Sequence, residues 1–234
     1  MTATLIVICL LLIALLAAIA HKLRLARRAD YIRTCSFPKG LYDRLIKRHP
    51  ELTLNDCHLV SRALRQFFLA HLHSGHKFVS MPSQVADDLW HEFILYTKHY
   101  DQFCRQAFGR FMHHTPAVVL SADRQDNTGL RRCWWYTCRE ENINPRQPVR
   151  LPLLFALDAK LNIADGFRYV ADCASVRRLN DKTGNAGSTV YCGGDFSSTD
   201  FDSSTDGFGD AATADSGDAG DSGSGCGGGC SGGD

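Results

Sequence analysis

Between Pro82 and Pro116 the chain reads PSQVADDLWHEFILYTKHYDQFCRQAFGRFMHHTP, and this stretch concentrates the side chains able to do chemistry. Asp87 and His91 are four residues apart, so on a helix they sit one turn apart on one edge, where their side chains touch. Gly109 permits a turn that would bring His113 and His114 back to the same place. One carboxylate with two or three imidazoles is a donor set for zinc or another divalent ion, with a position left open for water. The same residues also make a hydrogen-bonded Asp-His group that orients two elements without any metal.

The elements that must position these residues are legible as helices. Leu41 to Arg48 forms a short helix that stops before Pro50. Thr53 and Asp56 have capping-box spacing and open a longer helix, with Leu59, Val60, Ala63, Leu64, Phe67 and Phe68 on its apolar face, until Gly75. Ser83 caps the next helix. Taken as one helix to Phe108, it places Val85, Leu89, Phe93, Tyr96, Tyr100, Phe103 and Cys104 on one broad face, extended by Trp90. Trp90, Tyr100 and Cys104 are therefore expected in the core, with Cys104 pointing away from His91. His71, His73 and His76 straddle Gly75 without sharing a face and read as a solvated helix end. Thr128 to Glu141 and Leu151 to Leu161 supply two more helices, and DGFRYV a short final element. The pattern predicts an all-α domain of about five to six helices over residues 38–178.

The two ends of the chain differ from this body. Thr4 to Ala20 is a run of 17 uncharged, mostly apolar residues, about 25 Å long as a helix and just long enough to span a bilayer. Residues 1–21 are read as a single-pass membrane anchor and 22–37 as a basic juxtamembrane linker. Lys22, Arg24, Arg27 and Arg28 follow the apolar run directly, which by the positive-inside rule puts the body in the cytoplasm. The alternative is a signal peptide cleaved near Ala20, leaving a secreted protein. From Asp195 on there are nine Asp and no Lys or Arg, so the net charge of +1 conceals a balance of +10 over the first 194 residues. Residues 179–234, rich in Gly, Ser and Asp, cannot supply a core and are expected to form a disordered acidic tail. The tail carries Cys226 and Cys230 in CGGGC, a pair suited to a reversible disulfide or a shared metal.

Several enzyme classes are excluded. The chain has no P-loop, dinucleotide fingerprint or GxSxG, and His91-Glu92 lacks the second His of a zincin. No strand-borne aromatic RNA-binding module is visible, and no nucleic acid is expected as a partner.

The pieces VADDLWHEFILYTKHYDQFC, FMHHTP, LRRCWWYTC and LPLLFALDAKL together resemble the glycine-rich domain-containing protein family over roughly Pro38 to Tyr169. The GSGCGGGCSGGD ending is similar to the tail that gives that family its name. The resemblance implies a shared site or shared core at Asp87, Trp90, His91, Tyr100, Cys104, His113 and His114, without an assigned role. The membrane anchor departs from its soluble plant members. Two function classes remain: a membrane-tethered binding or interaction module with a protein partner, and a metal-dependent, zinc-type hydrolase built on Asp87, His91, His113 and His114.

Overall fold

The computed structural model describes residues 2–114, 128–171 and 190–192. Cys173, Cys226, Cys230 and the acidic tail lie outside the described residues. Seven helices are described: α1 Thr2–Thr34, α2 Leu41–Arg48, α3 Leu54–His73, α4 Gln84–Leu95, α5 Thr97–Ala107, α6 Thr128–Glu140 and α7 Leu153–Lys160. The chain is thus helical, as its periodicity predicts. A two-stranded parallel ribbon joins β1 Arg168–Val170 to β2 Val190–Cys192, with Tyr169 opposite Tyr191. β2 falls inside the segment expected to be tail from residue 179.

α3 is the centre of the body. Its apolar positions bury Cys57, Val60, Leu64, Phe67 and Phe68, and it packs against α1, α2, α4, α6 and α7. Its start is the expected capping box: the Thr53 hydroxyl accepts from Asp56 N–H, and the Asp56 carboxylate accepts from Thr53 N–H at 2.9 Å.

α1 is one continuous helix of 33 residues, and residues 22–34 are not a linker. Leu25, Ala29 and Ile32 recur at spacings of four and three, which gives this half an inward face: Ala29 and Ile32 are buried and Leu25 packs beside them. Arg33 then donates twice to the Glu140 carboxylate of α6, both bonds at 2.8 Å. The preceding apolar half, Leu5 to Ile19, touches no core and stays exposed. Thr4–Thr34 is the helix among the described residues that is long and apolar enough to cross a membrane.

The helix expected from Ser83 to Phe108 is broken. Tyr96 leaves the helical region at φ −81°, ψ 57°, and its hydroxyl donates to Lys39 O at 3.3 Å while Arg44 stacks on its ring. No Pro or Gly marks the site; contact with the start of α2 displaces it from the helix. The single wheel therefore fails beyond Leu95, and Tyr96 is half-buried instead of in the core. Trp90, Tyr100 and Cys104 are all buried nonetheless.

Asp158, on α7, fixes where α4 begins. Its buried carboxylate accepts from Ser83 Oγ (2.6 Å), Gln84 N (2.7 Å), Val85 N (3.3 Å) and Phe167 N (2.9 Å). A negative charge on the first free N–H groups of a helix is favourable both as hydrogen bonding and against the helix dipole. Gly166 is required beside it, because a Cβ there would fall 2.5 Å from Asp158 Cβ. Replacing Asp158 by Ala strands these buried donors and should destabilise the body by about 3 kcal/mol or more. Equilibrium urea denaturation measures this, and an unchanged midpoint would contradict it.

Candidate metal centre and cavity

Asp87, Trp90 and His91 lie on consecutive turns of α4, one turn inside the end that Asp158 holds. The fourth residue of the group comes from the chain after α5. Gly109, at φ 75°, ends that helix in the left-handed region with its N–H on Cys104 O and Arg105 O. The returning segment is then pinned by Tyr100, whose buried hydroxyl donates to Met112 O at 2.6 Å and accepts from Trp90 Nε1 at 3.1 Å. Two residues later the His114 ring lies against Trp90 (4.5 Å between centroids) and against His91 (4.2 Å).

This places three donors together. His114 Nε2 is 3.0 Å from Asp87 Oδ1, and His91 Nδ1 is 3.6 Å from Asp87 Oδ2. One ligand atom from each of Asp87, His91 and His114 lies within 4.8 Å of the others. Metal bonds of about 2.1 Å bring ligand atoms to roughly 3 to 3.5 Å of one another, so side-chain rotations of about 1 Å would close the set on an ion. His114 and Asp87 are mostly buried, whereas the His91 side chain is 42 % exposed, which leaves one side open.

The other residues singled out in the sequence fall outside this group. His113 is exposed and packs on Phe111. Cys104 is fully buried, and burial pushes its thiol up, so it is a packing residue. Burial likewise raises the Tyr100 phenol, which stays protonated. Cys133 and Cys138 are buried in α6, the latter thiol raised to about 12 chiefly by desolvation. The two neighbouring carboxylates are engaged elsewhere: Asp88 is buried against His49 Nε2 at 2.8 Å and Arg48 at 3.3 Å, and Glu92 pairs with Arg44 at 3.2 Å.

Beside the three donors is a cavity of about 480 Å³, whose lining includes Asp87, Trp90, His114, Phe67, Met112 and Phe167. Its lining also includes His71, His76 and Arg110, none of which the sequence marked as functional. The expected solvated helix end at His71, His73 and His76 is corrected here. His71 is buried, its Nδ1 is 3.2 Å from Lys77 O, and its ring packs on His76 and Phe108. His76 folds back because Gly75 and His76 both adopt left-handed conformations, so that His76 N–H reaches His71 O at 3.0 Å. The available signal was a Gly flanked by histidines at a helix end, and it reads equally as solvent-facing without the partner elements.

Taken together, fold and site define a helical protein with a ligand-sized cavity and an Asp/His/His group on its wall. The chain belongs to the UCP032817-like family, whose model matches residues 27–196. That match begins inside α1 and ends after β2, and the family's description names no activity. No curated protein and no solved structure matches the chain.

Burial lowers the His71 imidazole to about 4, assisted by the nearby His76. The group's pKa is depressed on folding, so below about 6.5 the unfolded chain takes up a proton that the native His71 refuses. Stability is therefore undiminished above the unfolded value and falls as pH drops towards 4, by an amount on the order of 3 kcal/mol. Urea midpoints between pH 7 and pH 4.5 should show this decline and His71→Gln should reduce it; identical slopes in both proteins would contradict the assignment.

Proposed function

We propose that the body is a metal-containing ligand-binding module tethered to a membrane, with Asp87, His91 and His114 holding one zinc or similar divalent ion at the wall of the cavity. The observation that carries this reading is the convergence of three ligand atoms within 4.8 Å, from two separate segments, beside a partly open cavity of about 480 Å³. Two imidazoles and a carboxylate suit zinc and other first-row ions, and the exposed side of His91 leaves room for water or a ligand atom to complete the coordination. The apolar half of α1 serves as the anchor, and the basic residues that follow it favour a cytoplasmic body. His113 is not a ligand in this reading.

A metal-dependent hydrolase is the second reading, favoured by that same open side, where a metal-bound water would be the nucleophile. Binding is preferred because Asp88 and Glu92, the nearest other carboxylates on α4, are committed to His49, Arg48 and Arg44, so neither is free to act as a general base there.

Elemental mass spectrometry on the full-length chain carrying Cys226→Ser and Cys230→Ser, which removes the tail thiols, tests the proposal. One equivalent of metal should be present after zinc loading, should fall below about a tenth of that in His91→Ala and His114→Ala, and should persist in His113→Ala. Absence of metal from the parent, or retention in His114→Ala, would overturn it.

A further inference from the structure

The cavity has a second polar region, and it is separated from the Asp87 group. Ring contacts run from His114 to Trp90, from Trp90 to Phe68, from Phe68 to Phe108, and from Phe108 to His71 and His76. The two histidine groups are thus linked through a row of core rings and make no direct ring contact with each other among the described residues.

At this second region the hydrogen bonding is incomplete. His76 Nε2 is buried and makes no hydrogen bond of good geometry, although the backbone of Gly75 and Phe108 lies beside the ring. A buried polar atom left without a partner is destabilising unless a ligand or water meets it. Arg110 donates one guanidinium N–H to His76 O at 2.9 Å, which holds it at this end of the cavity, and no carboxylate pairs with it among the described residues. A guanidinium carries five N–H donors, so most of its bonding capacity remains. Arg28 of α1 adds a second cation: its guanidinium lies on the Cα of Gly109, where any side chain would displace it. Both imidazoles are held towards their neutral forms, His71 and His76 alike, first by burial and then by nearby groups that include Arg110. The formal positive charges at this end are those of the two arginines.

We propose that this end of the cavity binds the anionic head, carboxylate or phosphate, of a small apolar acid, with His76 Nε2 and the Arg110 guanidinium as its hydrogen-bonding groups and Phe67, Trp90 and Met112 against its apolar body. An arginine fork suits either oxyanion, and the Phe67 and Trp90 rings that line the cavity suit a ring or a short chain. Protonation of His76 as the anion arrives would convert its orphaned nitrogen into a second charged donor. The assignment rests on the reading of the cavity as a ligand site and does not require the metal.

The test uses the full chain in zwitterionic lipid nanodiscs, titrated calorimetrically with 2-naphthoate, 2-naphthyl phosphate and the neutral 2-naphthamide. The acids should bind at least about tenfold more tightly than the amide. Arg110→Gln and His76→Asn, the latter keeping a residue that tolerates positive φ, should each bring that preference below about threefold. The His76 ring nitrogens should shift on acid binding in NMR spectra. His114→Ala should retain the preference, with circular dichroism confirming that each variant is folded. Equal binding of acid and amide would overturn the proposal, as would a preference that survives both Arg110→Gln and His76→Asn. A preference lost in His114→Ala but kept in Arg110→Gln would place the anion on the metal group instead, leaving the metal reading standing and this one refuted.

Discussion

The buried relay from Trp90 through the Tyr100 hydroxyl to the Met112 carbonyl is the interaction on which the site depends. It joins three pieces of the chain through buried hydrogen bonds: the middle of α4, the start of α5 and the chain returning after Gly109. The Tyr100 oxygen donates and accepts at once inside the core, so both of its partners are satisfied, and losing it would leave an indole N–H and a carbonyl unpaired. Met112 is only two residues from His114. Fixing its carbonyl therefore fixes how far His114 travels along α4 before its imidazole reaches Asp87.

A second constraint sets the other half of the geometry. Asp158 gathers Ser83 and the first N–H groups of α4, and so decides which residues occupy the first turns of that helix. α7 is itself seated by Glu141 and Gln66, which accept from Leu153 N at 2.6 Å and Leu154 N at 3.1 Å in place of a side-chain cap at Pro152. The chain of support thus runs from α3 and the end of α6, through α7, to Asp87 and His91. α1 joins the same framework through Ala29, Ile32 and Arg33, so the body is held close to wherever the apolar half of that helix resides.

Much of this was legible in the sequence, and the reasons differ by residue. Thr53 with Asp56, and Ser83 after Pro82, announced helix starts because capping is local chemistry. The four-residue spacing of Asp87 and His91 gave their proximity for the same reason. The break at Tyr96 was hidden because its cause lies in Lys39 and Arg44, more than fifty residues away in the chain. The two adjacent histidines looked alike in sequence; only the anchored Met112 carbonyl separates His114, against Asp87, from the exposed His113. Asp158 sat unnoticed inside an apolar helix, and His71 and His76 looked solvent-facing, since each acquires its role from partners that local pattern does not specify. The glycine- and cysteine-rich tail falls outside the described residues, and the family match ends before it.

The most direct measurement is the zinc affinity of Tyr100→Phe, determined by competition with a chromophoric chelator in the chain lacking Cys226 and Cys230. The substitution keeps the ring in the core and removes only the oxygen that bridges Trp90 and Met112. If the relay positions His114, affinity should fall by about tenfold or more, comparable to the loss of groups that orient metal ligands, while far-ultraviolet circular dichroism stays native. A variant that folds and binds zinc as tightly as its parent would contradict the account.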